Sequence, residues 1–263
     1  STPGERTPAQ HHYVERKVPQ LQTFSFSHQG KRAYQQDAVY VSGSKILSAN
    51  KKTRVLGIVC DGMGGLRKGE LASATLIRDF SDWFDSEFPE ILYEGLDTIV
   101  LRKSWERVVS ICAKELERYS SDNQVRMGTT AAVLLLAQHR YFILNIGDSR
   151  VYELTDRVWQ MTKDQTFIQR EMDMGRMTPE EARKDSRRNV LLQCVGASDF
   201  INPEFLTGQM AENAVYMLCS DGFRHVITPE EIFNRLNPVN MQDEETMRPV
   251  SYTHLTLPTI RLV

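Results

Sequence analysis

Three carboxylates stand where apolar runs of the chain end. Val55–Cys60 leads into Asp61-Gly62-Met63-Gly64-Gly65, Ala214–Cys219 into Ser220-Asp221-Gly222, and Tyr141–Ile146 into Gly147-Asp148-Ser149-Arg150. An ionised Asp at the dry end of a buried strand is costly unless it is paired or holds a cation. Three that converge repel one another, and a divalent ion is the simplest remedy. All-oxygen ligation selects Mg2+ or Mn2+ over zinc or copper. Gly62, Gly64 and Gly65 allow a tight turn that brings a backbone carbonyl near the ion. Any single Asp-Gly reads more simply as a turn. Two of them and one Gly-Asp-Ser-Arg, each directly after an apolar run, shift the balance toward a metal site. The glycines of 61–65 match neither spacing of the phosphate-binding glycine loops.

Those acids need elements to position them. The globular signal begins at Leu21, with strands expected at about 22–28, 37–42 and 55–60 and a helix at about 70–87. A second helix, 97–119, places Leu101, Trp105, Val108, Cys112, Leu116 and Tyr119 on one buried face by steps of three and four. Thr130–Ala137 with Tyr141–Ile146, and Arg150–Leu154 with Val158–Met161, are joined by short polar links and read as antiparallel hairpins. Thr178-Pro179-Glu180-Glu181 and Thr228-Pro229-Glu230-Glu231 each carry a capping Thr, a Pro suited to the first helical position and a Glu that closes a capping box. Strands grouped in hairpins and helices grouped in pairs predict an α+β layered domain, not alternating βαβ units. Residues 1–20, polar and with three prolines, read as a flexible tail or linker.

Composition narrows the function. In 263 residues, 32 Lys+Arg nearly balance 34 Asp+Glu, so no global field gathers nucleic acid or an anionic membrane. No apolar stretch is long enough to span a bilayer, and the N-terminal residues lack an apolar signal core. The four cysteines are far apart in sequence, without CxxC or zinc spacing. A cytoplasmic monomer without nucleic-acid or membrane partners is expected. Cys112 and Arg118 have the Cys-x5-Arg spacing of a cysteine phosphatase, but Cys112 falls on the apolar face of a helix, where a thiol is a core group and not a nucleophile. The six histidines show no ligand spacing.

The motifs together resemble the metal-dependent protein phosphatase family of the PP2C or PPM type, bacterial form. They are Gly30-Lys31-Arg32 with Gln35-Gln36-Asp37, the Asp-Gly-Met-Gly-Gly of 61–65, Gly128-Thr129-Thr130, Gly-Asp-Ser-Arg at 147–150, Met161 to Thr166, and Ser-Asp-Gly at 220–222. The resemblance spans about 21–250 and implies a four-layer αββα sandwich, two antiparallel sheets flanked by helix pairs. It implies that Asp61 bridges two Mn2+ or Mg2+ ions, with the Gly62 carbonyl on one and Asp221 on the other. Asp148 would help to hold a third, weaker ion. Asp37 would act through metal-bound water, Gln36 stands where many members place an acid, and Arg32 matches the phosphate-binding arginine. The implied reaction is hydrolysis of phosphoserine and phosphothreonine in proteins by a metal-bridging hydroxide, without a covalent phosphoenzyme. Its substrates would be products of a Ser/Thr protein kinase. Met63 stands where some members carry a His, which leaves protonation of the leaving group to water or another group. The segment 166–189 corresponds to a flap beside the site, whose Arg183, Lys184, Arg187 and Arg188 could guide a phosphopeptide.

The sequence departs from the family at its end. The Asp of the closing motif on the final strand is missing, and Asp243 is a poor substitute within an acidic helical run. Residues 251–263 resemble translated sequencing-adaptor read-through. They are expected to be a non-native tail, which leaves the domain at 21–250 one strand short; a native edge strand is the other reading, with Pro258 tolerated at a strand end. A catalytically inactive PP2C-like module that binds a partner or phosphoprotein is accordingly the alternative function.

Overall fold

The computed structural model describes residues 23–26, 37–45, 53–64, 67–224, 227–241 and 259–262. Its centre is strand β5 (Ala131–Ala137), of which every residue is buried. A strand buried on both faces needs a layer on each side, and the alternation of side chains supplies both. On one face of β5 and its neighbours β3 (Thr53–Met63) and β6 (Arg140–Ile146), Leu56, Ile58, Val133, Leu135, Phe142 and Leu144 join a core with the helices. On the other, Val55, Val59, Ala132, Leu134 and Ile143 pack with Val151, Tyr216 and Leu218 of a second sheet.

The first sheet runs β2-β3-β5-β6-β9, with β2 at Asp37–Lys45 and β9 at Glu204–Gln209, and the two-residue β4 (Gly128–Thr129) extends the ladder at the end of β3. The second runs β1-β11-β10-β7-β8: Thr23–Phe26, Thr259–Leu262, Val215–Cys219, Arg150–Leu154 and Val158–Gln160. All the pairings are antiparallel. Helices α1 (Arg67–Ser86), α2 (Phe88–Tyr93) and α3 (Thr98–Asn123) cover the first sheet. The outer face of the second is closed by Phe223, Ile232 and Leu236 from α6 (Asp221–Arg224) and α7 (Pro229–Leu236). The four-layer αββα architecture expected from the sequence is the one observed. Between β8 and β9 lie two short helices, α4 (Phe167–Asp173) and α5 (Pro179–Lys184), which form the flap.

Both expected capping boxes form, Thr178 with Glu181 and Thr228 with Glu231. Asp97 caps α3 by accepting from the Ile99 and Val100 amides at 2.8 and 3.0 Å. Trp105, on the predicted face of α3, is wholly buried and meets Phe80, Trp83 and Phe205 edge-on, with ring centroids 5.7–5.9 Å apart. Trp105→Ala is expected to cost about 3–5 kcal/mol, the usual range for emptying such a site, read as a fall in urea midpoint at unchanged slope.

The structure departs from expectation in several places. The apolar stripe of α3 ends a turn early, because Tyr119 is exposed. The short α2 and α4 and the half-exposed β9 were not anticipated; none is long or regular enough to show a period. Asp61 does not end its strand. The ladder of β3 continues through Gly62, opposite Thr129, and Met63, opposite Gly128. Asp221 starts a helix, so neither Asp-Gly is a hairpin turn. Thr259–Leu262, taken as tail, pairs with both β1 and β10. Thr259 and Ile260 are residues of high strand propensity.

Candidate metal centre

The site is built at the end of the two sheets where β2, β3 and β10 come together. Register puts Asp37 of β2 directly across from Asp61 of β3. Like charges at directly opposed positions are unfavourable, so this pairing needs compensation from outside the sheet. Asp221 enters from the other sheet as the first residue after Ser220. The Ser220 hydroxyl lies 2.9 Å from Asp37 Oδ2 and donates to it, which ties the sheets together at this point. The Asp61 carboxyl is held well above the usual carboxylate range, first by burial, then by the charges of Asp37 and Asp221 and by hydrogen bonds with both side chains. Three carboxyls this close either share protons or hold a cation, and oxygen donors of this kind suit a hard divalent ion. Among the described residues, no three acid, His or Cys side chains already stand in finished ligand geometry. What the protein presents is a crowded acidic cluster that a divalent ion would relieve.

The main chain of Asp61 is fixed by the Gly128-Thr129-Thr130 motif. The Asp61 amide donates to Thr130 Oγ1 at 2.9 Å, and the Asp61 carbonyl accepts from the Thr130 amide at 3.0 Å and from Thr129 Oγ1 at 3.2 Å. Thr130 Oγ1 also lies 2.8 Å from Ser149 Oγ, and both hydroxyls are buried, so Asp61 is tied to the turn that carries Asp148. Asp148 is itself buried, between β6 and β7. Its neighbour Gly147 has φ +98, and a Cβ there would stand 2.7 Å from Thr130 Cγ2, so glycine is required on both counts.

Gln165 braces this turn. Its side-chain carbonyl accepts from the Gly147 backbone amide at 2.7 Å, and its backbone amide donates to the Gly147 carbonyl at 2.9 Å. Gln193 donates to the same Gln165 oxygen at 2.7 Å, which joins the turn to the chain leaving the flap. Arg150 makes a two-point pair with Asp164 at 2.7 and 2.6 Å. Burial alone would lower the Arg150 pKa, but Asp164 more than offsets it and holds the guanidinium charged. The arginine of Gly-Asp-Ser-Arg is therefore a strut.

A residue that the sequence did not reveal is Gly69, in the first turn of α1. A Cβ there would stand 2.7 Å from the Gly62 carbonyl carbon and 2.8 Å from its oxygen, so the helix rests on the peptide read as a metal ligand. The structure thus brings Asp37, Asp61, Gly62 and Asp221 together, with Asp148 one hydroxyl bridge away. Arg32 and Gln36 lie outside the described residues, as does Asp243. Cys112 is fully buried in α3 and its thiol is pushed up by burial and by the charge of Asp79, opposite to what a nucleophile requires.

Residues 26–254 match the family model described as Protein phosphatase 2C. The chain is 32% identical over 206 residues to the serine/threonine protein phosphatase PstP of Mycobacterium tuberculosis, covering 78% of this chain and 36% of that protein's length. It is 30% identical over 187 residues to the protein phosphatase PhpP of Streptococcus pneumoniae, covering 70% of this chain and 73% of that one. Its fold is similar to that of the PstP catalytic domain solved in complex with two manganese ions, with a TM-score of 0.70 and 26% identity over 92% of this chain and 95% of that one. The chain belongs to the protein phosphatase 2C family.

Proposed function

We propose that the chain hydrolyses phosphoserine and phosphothreonine esters in proteins with the help of Mn2+ or Mg2+. The observation that carries this reading is the meeting of Asp37, Asp61 and Asp221 across the two sheets, with the Asp61 carboxyl pushed up by burial and by its two acidic neighbours. Asp61, the Gly62 carbonyl and Asp221 would hold two ions, and Asp148 would help to hold a third. Bound ions of this class supply Lewis acidity that lowers the pKa of water and offsets charge on phosphoryl oxygens. The chain's own residues supply position. Thr130 and Thr129 fix the Asp61 backbone, Ser220 orients Asp37, and Gln165 sets the Asp148 turn. Arg32 would hold two phosphoryl oxygens. One water is consumed and one alcohol and one phosphate are released; Met63 carries no proton for the leaving oxygen, which takes its own from water.

The substrates in this reading are phosphoproteins made by a Ser/Thr kinase in the cytoplasm, and the chain acts as a monomer. Four buried free thiols agree with a reducing compartment. Among the described residues, no helix is long and apolar enough to cross a membrane.

A non-catalytic, phosphoprotein-binding module is the second reading. It is favoured by one observation: Thr259–Leu262, the strand beside β10, carries no carboxylate. Mn2+-dependent turnover of p-nitrophenyl phosphate and of a phosphothreonine peptide separates the two. Turnover supports hydrolysis, and its absence in a protein folded by circular dichroism supports the module.

Gly69 yields a narrower expectation. Gly69→Ala must displace the Gly62 peptide or the helix, because the obstructing atoms are backbone. The Mn2+ concentration for half-maximal activity is expected to rise about 10–100-fold, the usual scale for disturbing the support of a metal ligand, with kcat at saturating Mn2+ little changed. A titration of rate against Mn2+ checks this.

A further inference from the structure

Beside the flap is an open cavity of about 540 Å³ whose wall is shared with the Gly-Asp-Ser-Arg turn through Arg150. Ile168, Met172 and Ala182 contribute apolar surface, and Arg183 and Arg188 contribute charge. Five other cations of this region are engaged. Arg150 is held by Asp164, Arg176 and Arg170 by Glu171, Lys163 by Asp173, and Arg187 by Asp185 while it stacks on Phe167 at 4.3 Å. Among the ion pairs of the described residues, none includes Arg183 or Arg188. Lys184 is also outside those pairs but is not part of the wall.

Two guanidinium groups in a wall shared with apolar side chains suit an anionic side chain carried beside an apolar one. We propose that this cavity is a second recognition site, which takes an acidic residue of the substrate protein a few positions from the phosphorylated one. The inference rests on the phosphatase reading and deepens it: the preferred substrates are phosphoproteins with acidic flanks. The position supports this, because Thr166 in the wall follows Gln165, whose side chain is bonded to Gly147 beside Asp148. A peptide advances about 3.3–3.6 Å per extended residue, so the flank of a bound substrate reaches well beyond the phosphorylated residue itself.

The test is fluorescence anisotropy with two labelled peptides that carry a non-hydrolysable phosphonate analogue of phosphothreonine, one with Glu-rich and one with Lys-rich flanks, on Mn2+-loaded protein. Wild type is expected to bind the Glu-flanked peptide on the order of tenfold more tightly, the scale of two screened ion pairs. Arg183→Gln with Arg188→Gln should erase the preference, and Arg183→Glu with Arg188→Glu should invert it, each variant being checked for folding by circular dichroism. Equal affinity of wild type for the two peptides, or a preference that survives the Glu pair, overturns the proposal. Turnover of p-nitrophenyl phosphate by wild type, measured alongside, reports on hydrolysis separately. Its absence counts against the catalytic reading, while the comparison of affinities still decides the role of the cavity.

Discussion

Asp61→Asn is expected to hydrolyse a phosphothreonine peptide at less than about a thousandth of the wild-type rate. Metal ions at such a centre contribute several kcal/mol of transition-state stabilisation, and each 1.36 kcal/mol is tenfold in rate. The substitution removes the charge that two ions would share. It keeps the side-chain volume and leaves untouched the Asp61 main-chain bonds to Thr129 and Thr130. Folding should not suffer. In the metal-free protein Asp61 is crowded by Asp37 and Asp221, and a neutral amide relieves that repulsion. The metal-free variant is therefore expected to melt no lower than metal-free wild type, while losing stabilisation by Mn2+. A ligand present at 100 times its Kd adds about 2.7 kcal/mol, so the contrast is well within reach of a thermal melt. Lost turnover together with a lowered metal-free melting temperature would instead mark Asp61 as structural.

Asp221→Ala is the second large effect, and it reaches the cluster from the other sheet. Asp221 follows Ser220, whose hydroxyl remains bonded to Asp37, and it starts a helix of only four residues. Little packing is lost with its side chain, yet one carboxylate leaves the cluster. Turnover is expected to be abolished, with a circular dichroism spectrum like that of wild type. Retained Mn2+-dependent turnover in Asp221→Ala would refute its assignment as a ligand.

What could be read from the sequence follows from how local each signal is. Asp61, Asp148 and Asp221 each announce themselves as an acid within two residues of the end of an apolar run, and both capping boxes lie within four residues. That Asp37 faces Asp61 is a matter of strand register, which the residues of 37–42 do not state. Gly69 is invisible for the same reason, since its role is a contact between a helix and a strand. Gln165 belongs to a motif that the family resemblance picked out, but its work as a brace depends on Gly147 and Gln193, far away in the chain. The four flap cations looked equivalent in sequence. Only folding separates Arg187, held by Asp185 and Phe167, from Arg183 and Arg188 in the cavity wall. Thr259–Leu262 has strand-forming residues whatever its origin, and an open edge of β10 pairs with them.

The central claim is that the acidic cluster is a divalent-cation site. Isothermal titration of Mn2+ into metal-stripped wild type and Asp61→Asn tests it most directly. Saturable binding by wild type is expected, with most of it lost in Asp61→Asn although the variant is folded. Identical isotherms for the two proteins, or no binding by folded wild type, would contradict it.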